Sequence, residues 1–154
     1  MAKFFVKGYP ECPVLIDDED EERISKYDWY CTNNGYIYNS KFRLLLARFI
    51  MNLNDPKAQT DHINRNTFDN RKENLRVANQ TTNKMNKGPL KKDKYKGVYF
   101  HKENCIWRAR ITVYSKDINL GCFKTSEEAA RAYDKAAKLH FGEFAYFNFP
   151  EEIS

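Results

Sequence analysis

One short segment of this chain holds side chains that can bind a hard cation, accept a proton and fix a loop. Asp61 and His62 are adjacent, and Asn74 and Asn83 follow them along the chain. A carboxylate and an amide oxygen are ligands that suit Mg²⁺, and an imidazole with an ordinary pKa of about 6.5 is partly neutral at physiological pH. These residue types together are what metal-assisted attack of water on a phosphodiester requires.

Strand geometry can give the two adjacent residues different tasks. Successive side chains of a strand point to opposite sides, so an Asp-His pair at a strand end can direct the carboxylate to an ion and the imidazole to a water. Taken singly, each residue has a plainer interpretation, since a lone Asp-His is usually a turn or a surface pair, and Asn66 and Asn70 are typical turn residues. The prediction of a nuclease therefore depends on the four residues occurring together.

Composition sets broad limits on the partner and the compartment. The chain has 154 residues, enough for one ordinary domain or two small ones, and a net charge of +5 that arises after residue 50, which favours a polyanionic partner. The N-terminal apolar run is too short for a signal peptide or a membrane span. Four widely spaced cysteines predict reduced thiols, with no disulfide framework and no zinc site. We expect a cytoplasmic protein of a bacterium or a phage-infected host cell, without membrane contact.

The first 50 residues indicate a β-rich segment. Asn33, Asn34 and Gly35 stand between two aromatic runs, which predicts a hairpin because Asn and Gly tolerate positive φ. The acidic run over residues 17–22 predicts the capped start of a short helix that ends beyond Ile24. Residues 42–53 are apolar on most faces, and their periodicity leaves a strand and a helix equally open.

The chain from residue 84 onward has a different pattern. A lysine-rich run over residues 84–96 surrounds Gly88-Pro89 and predicts a solvated linker, which could also follow a phosphate backbone. Three alternating segments then predict strands near residues 97–100, 106–113 and 118–121. A helix is predicted from Ser126 to Phe141, with a capping box formed by Thr125 and Glu128 and with Gly142 at its end. Its predicted packing face consists of Ala129, Ala132, Tyr133, Ala136 and His140.

The motif Asp-His-Ile-Asn-x-Asn-Thr-x-Asp-Asn-Arg-x-Glu-Asn-Leu-Arg, with the later asparagine, resembles the HNH nucleases of the ββα-metal fold, especially homing endonucleases of phages and mobile introns. The match covers about residues 45–87. The resemblance implies that Asp61 and Asn83 bind a divalent metal, Mg²⁺ or Mn²⁺, and that His62 is the general base. It implies that Asn74 orients the imidazole or fixes the loop between the strands, and that the products carry 5′-phosphate and 3′-hydroxyl ends.

Three arginines near this motif are candidate phosphate contacts. Many relatives carry a histidine before the arginine of the preceding segment, where this chain has Ala47, and this departure makes Arg48 a candidate contact for the scissile phosphate. Arg71 and Arg76 are either phosphate contacts or solvated charges.

The segment from residue 95 to residue 150 resembles the Apetala, or ethylene-response-factor, DNA-binding domain. The resemblance rests on Tyr-Lys-Gly-Val, Trp-Arg-Ala-Arg-Ile, Asn-Leu-Gly, the Arg-Ala-Tyr-Asp helix and Phe-Asn-Phe-Pro. It implies a three-stranded sheet lying in the major groove. The implied DNA contacts are Lys96, Tyr99, His101, Lys102, Arg108, Arg110, Thr112 and Asn119. The plant pattern usually has Glu at Arg110, Arg at Tyr99 and Trp at Asn119, so the docking mode carries over and the base preference does not.

Together these patterns predict an α+β protein. A β-rich N-terminal segment leads into a ββα-metal HNH motif, and a small three-stranded antiparallel sheet packed on one helix follows. The predicted domains are a nuclease domain over residues 1–87, a basic linker over 88–94 and an Apetala-type domain over 95–150. We expect a homing-type endonuclease that binds double-stranded DNA as a monomer or homodimer and cuts one strand per active site. The alternatives are a non-catalytic sequence-specific DNA-binding regulator and a nonspecific HNH nuclease.

Overall fold

Small antiparallel sheets and short helices make up the chain. The computed structural model describes residues 2–6, 12–90 and 93–153, so Lys91 and Lys92 of the predicted linker lie outside the described residues. The contacts divide the chain into two units, residues 1–83 and residues 84–154. This mixed architecture is the α+β class that the sequence predicts. No helix in the described part combines the length and the hydrophobicity needed to span a bilayer.

The first unit consists of three small sheets with short helices between them. Its strands are β1 (Ala2–Phe5), β2 (Pro13–Ile16), β3 (Tyr30–Cys31), β4 (Ile37–Asn39), β5 (Leu44–Leu45), β6 (Gln59–His62) and β7 (Leu75–Ala78). Its helices are α1 (Asp18–Ser25), α2 (Leu46–Ile50) and α3 (Gln80–Asn86), the last of which crosses the boundary between the units. The antiparallel pairings are β1 with β2, β3 with β4, β4 with β5, and β6 with β7.

The structure answers two local predictions for this unit. The hairpin at residues 33–35 joins β3 to β4, with Gly35 at a φ of 81° that a side chain would disfavour. Residues 42–53, for which a strand and a helix were both possible, contain one of each, because strand β5 is followed directly by helix α2 at Leu46. In α2, Leu46, Ala47 and Ile50 are buried, which is the spacing of one helix face.

The acidic run forms the start of helix α1, as predicted. The carboxylate of Asp17, at the N-cap of α1, makes no capping bond to its own helix. Instead it accepts a hydrogen bond from the backbone N–H of Lys72 at 2.8 Å. The predicted acidic start of the helix is confirmed, since Asp18, Glu19, Asp20 and Glu21 lie in its first turn.

The core of the first unit fixes the position of β7. Val14, Ile16, Ile24, Leu46 and Ile50 are essentially fully buried, and Leu75 of β7 belongs to the same cluster. Full burial of one such side chain contributes about 1.5–3 kcal/mol. Because β7 pairs with β6, this core also holds the strand that ends in His62.

The second unit is a three-stranded antiparallel meander packed on one helix. Its strands β8 (Val98–His101), β9 (Ile106–Val113) and β10 (Lys116–Phe123) lie in the order β10-β9-β8. The helix α4 (Ser126–Phe141) begins with the predicted capping box of Thr125 and Glu128, and its C-cap is Gly142. The predicted strands and helix are confirmed.

The predicted packing face of α4 was partly wrong. The buried side chains are Ala129, Ala130, Tyr133, Asp134, Ala137 and Phe141, whereas His140 is exposed. The large Phe141 joins the core and turns the buried stripe away from His140. Asp134 is tolerated there because its carboxylate accepts hydrogen bonds from the backbone N–H groups of Asn148 and Phe149.

Candidate active site

The pairing of β6 with β7 separates the two adjacent residues of the motif. Asp61 lies opposite Arg76, and His62 lies opposite Leu75. Residues directly opposite in an antiparallel pair share a face, and neighbours along a strand alternate. His62 therefore shares the face of Leu75, which belongs to the core, and Asp61 lies on the other face.

Arg76 holds the carboxylate of Asp61. The guanidinium donates from Nε at 2.8 Å and from a terminal nitrogen at 2.6 Å to Asp61 Oδ2. Both side chains are largely buried, so the geometry of this charge-assisted contact is well defined. Arg76 thus has an intramolecular partner, and its contact with DNA stays a prediction.

Asn83 lies beside β6 on the face of Asp61. Its Nδ2 donates to the Gln59 side-chain oxygen at 2.7 Å and is 3.5 Å from the Thr60 carbonyl. Gln59 and Asp61 are two residues apart on one strand, so they share a face. Because the amide nitrogen faces β6, the carbonyl oxygen is the atom left for a cation, and it accepts no hydrogen bond from the described residues.

Asn74 fixes the loop between β6 and β7. Its Oδ1 accepts from the backbone N–H of Asn64 at 2.9 Å, and its Nδ2 donates to the Asp69 carbonyl at 2.7 Å. Asn64 also donates to the Asp69 carboxylate at 2.9 Å. Of the two roles that the resemblance allows for Asn74, these contacts match the loop-fixing one.

Asn70 contacts the imidazole of His62. Its side chain is 1% exposed, and its Oδ1 lies 3.2 Å from His62 Nε2. Its Nδ2 donates to the Thr67 carbonyl at 2.9 Å, which fixes the orientation of the amide. An amide oxygen only accepts, so the neutral imidazole must carry its proton on Nε2. The lone pair of the neutral ring is then on Nδ1.

Sequence reasoning missed this role, since Asn70 has the appearance of a turn residue. Asn70 is one of four asparagines between β6 and β7, so the sequence shows that an amide is available near the histidine. The sequence does not show which of those amides reaches the histidine, since that depends on the course of the loop.

Distant parts of the first unit hold the loop that carries Asn70. The backbone of Leu15 on β2 accepts from the Asn70 N–H and donates to the Phe68 carbonyl, both at 2.8 Å. The Thr67 hydroxyl donates to the Gly35 carbonyl at 2.6 Å. The N-terminal strands thus position the imidazole through its amide partner.

Burial sets the protonation of His62. The residue is 6% exposed, and desolvation lowers the pKa of its imidazole, against smaller opposing effects of the Asn70 hydrogen bond and of nearby Asp61 and Asp69. A lowered pKa makes the ring neutral at pH 7. A neutral buried imidazole with a defined tautomer is suited to accept a proton.

The other two arginines predicted to contact phosphate also have protein partners. Arg71 donates to the Asp69 carboxylate at 2.8 and 2.7 Å and holds the pKa of that carboxyl below its usual range. Arg48 donates to the backbone carbonyls of Leu53, Asp55 and Ala58. These contacts give both residues a role in loop structure, and their contacts with phosphate stay predictions.

The donor set around β6 fits a hard divalent cation. Asp61 offers a carboxylate and Asn83 a carbonyl oxygen, and both lie on one face of the strand. Two protein oxygens leave most of an octahedral shell for water and phosphate, which suits Mg²⁺. Among the described residues, no group of three or more His, Cys, Asp or Glu side chains could hold a metal ion, and a site of one carboxylate and one amide needs none.

A second polar surface lies on the sheet of the second unit. Along β9, Arg108, Arg110 and Thr112 alternate with the buried Ala109 and Ile111. This alternation confirms the predicted division between a polar face and a face toward α4. Strand pairing places Tyr99 opposite Arg108 and Asn119 opposite Arg110, which brings them to the polar face.

The remaining predicted contacts of this sheet differ in their surroundings. The Lys96 ammonium donates to the Met85 carbonyl at 2.6 Å. Lys102 is exposed in the turn after β8. The buried atoms Arg108 Nε and His101 Nδ1 have no hydrogen-bond partner within the described structure.

Comparison with known proteins gives matches for both resemblances. The chain is 32% identical over 128 residues to an uncharacterized HNH endonuclease of Acanthamoeba polyphaga mimivirus, which covers 79% of this chain and 67% of the viral protein. No family model and no solved structure matches the chain.

Two plant proteins match a smaller part. The chain is 39% identical over 76 residues to the AP2-like ethylene-responsive transcription factor TOE2 of Arabidopsis thaliana, covering 49% of this chain and 16% of the plant protein. It is 49% identical over 57 residues to the AP2-like factor CRL5 of Oryza sativa subsp. japonica, covering 36% and 9%. The chain thus spans only a small part of these plant relatives.

The assignment of the His62 proton predicts a spectroscopic result. In ¹⁵N-labelled protein at about pH 8, above the ordinary imidazole pKa, two-bond ¹H–¹⁵N correlations should show His62 protonated on Nε2. Asn70→Leu should abolish this preference, because the acceptor is gone, and should lower the free energy of unfolding by about 1–3 kcal/mol. Asn66→Ala, in the same loop, should leave the tautomer unchanged. Protonation on Nδ1 in the wild type would contradict the assignment.

Proposed function

The chain belongs to the family of HNH endonucleases, and we propose that it is a metal-dependent DNA endonuclease of the homing type. The observation that carries the proposal is the division of roles around β6. On one face of the strand are the oxygen donors of Asp61 and Asn83, and on the other is the neutral imidazole of His62. We further propose that it acts in the cytoplasm of a bacterium or a phage-infected cell.

His62 is the general base of the proposed reaction. The Asn70 oxygen retains the proton on Nε2, so Nδ1 takes the proton of the attacking water. The resulting hydroxide attacks phosphorus and the bond from phosphorus to the 3′ oxygen breaks. The departing 3′ oxygen takes a proton from solvent water, which leaves 5′-phosphate and 3′-hydroxyl ends. Proton transfer to a positioned base contributes on the order of 10²- to 10⁴-fold in rate.

Asp61 and Asn83 would hold the cation, Mg²⁺ or Mn²⁺. When bound, such an ion supplies stabilisation of the charge that develops on the phosphoryl oxygens and the leaving group. The protein side of this step is orientation. Arg76 fixes the Asp61 carboxylate, and Gln59 fixes the Asn83 amide.

The sheet of the second unit would recognise the DNA site. Its polar face carries Arg108, Arg110, Thr112, Tyr99 and Asn119, which are residue types that contact base edges and phosphates. Placed in the major groove, this face would hold double-stranded DNA while the site on β6 cuts one strand. A monomer would then nick, and a homodimer would cut both strands.

His62→Ala should abolish most of the cutting. With supercoiled plasmid and Mg²⁺, we expect the nicking rate to fall by about 10²- to 10⁴-fold, because the base is lost while the oxygen donors stay. His140→Ala is the matched control, since His140 is an exposed residue of α4.

The same assay separates endonuclease from regulator. Wild-type protein that binds the plasmid and leaves it closed with either Mg²⁺ or Mn²⁺ would favour the non-catalytic regulator. Cutting that survives unchanged in His62→Ala would remove His62 from the reaction.

The depressed pKa of His62 predicts the pH dependence of cutting. The base works in its neutral form, so the rate should fall as pH falls through the pKa of the folded protein, and this acid limb should lie below about pH 6.5. Asn70→Asp adds a negative charge beside the ring and should move the limb to higher pH. We would measure kcat/KM against pH at saturating Mg²⁺. An acid limb of the wild type at or above pH 6.5 would contradict the expected desolvation.

A further inference from the structure

A carboxylate lies among the residues of the polar sheet face. Asp117 of β10 is opposite Thr112 of β9. Its Oδ2 accepts a hydrogen bond from Arg110 Nη1 at 2.9 Å, and its Oδ1 accepts one from the Thr112 hydroxyl at 2.6 Å. The Arg110 and Asp117 side chains are 54% and 50% exposed, so the pair is open to a ligand.

A negative charge at this place conflicts with simple phosphate binding. Lysine and arginine contacts to phosphate gain affinity through release of counterions. Asp117 neutralises Arg110 and would itself repel a phosphate. If the sheet served only to hold the DNA backbone, an unpaired Arg110 would serve better.

Base edges in the major groove make different demands. Cytosine presents the N4 amino group, a donor that aspartate can accept from, and guanine presents the O6 and N7 acceptors that an arginine fork fits. A C·G pair therefore offers partners to both members of an Arg-Asp pair. Phosphate offers a partner only to the arginine.

The surroundings of Arg110 restrict its guanidinium. Its Nη1 donates a hydrogen bond to Asp117, and its guanidinium carbon lies 5.7 Å from the centroid of the Tyr99 ring. A guanidinium has five N–H donors, so one bond to Asp117 leaves others for a base. Holding the fork before binding lowers the entropy lost when it meets guanine.

We propose that Asp117 is a specificity-determining residue that makes the sheet select a C·G base pair. Its carboxylate orients Arg110 toward guanine and accepts a hydrogen bond from the cytosine N4 amino group. The inference rests on the proposed DNA recognition by this sheet.

The competing interpretation is that the Arg110–Asp117 ion pair only links two strands. An exposed ion pair contributes about 0–1 kcal/mol to stability, so Asp117 could bridge β9 and β10 without reading DNA. The two interpretations differ in one respect. An ion pair that only links the strands gives no preference for any base.

The experiment is selection of bound duplexes from a randomised DNA pool by the full chain, with EDTA present to prevent cutting. The proteins are wild type, Asp117→Asn, Arg108→Ala and Glu151→Gln. Glu151 makes the matched loss of one negative charge, since it is exposed and lies beside Glu152, which binds Arg131 of α4. Arg108→Ala tests whether the sheet binds DNA at all.

Wild type should select a C·G pair at one position. Asp117→Asn should lose discrimination there by roughly 5- to 150-fold, the range of one good base contact. Its affinity for nonspecific duplex should rise, and the slope of log K against log salt should steepen by about 0.9, because Arg110 is released to phosphate. Glu151→Gln should keep the selected sequence and the wild-type slope.

Three results would overturn the proposal in distinguishable ways. If wild type selects a site and Asp117→Asn selects the same one, Asp117 only links β9 to β10, and the proposed DNA recognition stands. If Asp117→Asn binds all sequences more weakly, its role is structural. If wild type shows no site preference and Arg108→Ala binds as well as wild type, the recognition role of the sheet fails, and the inference fails with it.

Discussion

The alternation of side chains along β6 is the constraint on which the active site depends. Asp61 and His62 are neighbours in sequence, yet the strand directs them to opposite faces. On one face Arg76 binds the Asp61 carboxylate and Gln59 binds the Asn83 amide, and on the other face Asn70 contacts the imidazole. In-line displacement at phosphorus places the attacking and the leaving oxygen on opposite sides. In the proposed reaction His62 would activate the attacking water, and the cation held by Asp61 and Asn83 would stabilise the leaving oxygen.

The imidazole is positioned by long-range contacts. Its partner Asn70 is bound to Thr67, and this loop is bound in turn to Leu15 of β2 and Gly35 of the β3–β4 hairpin. Each bond contributes about 0.5–1.5 kcal/mol alone, and together they fix the course of the loop. In the proposed reaction the N-terminal strands would therefore contribute by positioning this loop, and no side chain of β1 or β2 would take part in the chemistry.

Local patterns predicted the elements, and tertiary contacts decided the details. The α4 helix could be read from its capping box, and the hairpin from Asn34-Gly35, because those signals act over a few residues. The role of Asn70 could not, since its partner backbone at Leu15 is distant in sequence. For the same reason Asp17 binds Lys72 rather than its own helix. Alternation along β9 predicted which residues share the polar face, but not that Asp117 neutralises Arg110 there.

The central claim is that Asp61 and Asn83 hold the cation while His62 stays outside its coordination shell. Mn²⁺ titration of the DNA-free protein, followed by electron paramagnetic resonance, tests this directly. Wild type and His62→Ala should bind one Mn²⁺ ion with similar affinity, whereas Asp61→Ala and Asn83→Ala should each bind it about tenfold more weakly or worse. Binding that survives both oxygen-donor substitutions, or that His62→Ala abolishes, would contradict the account.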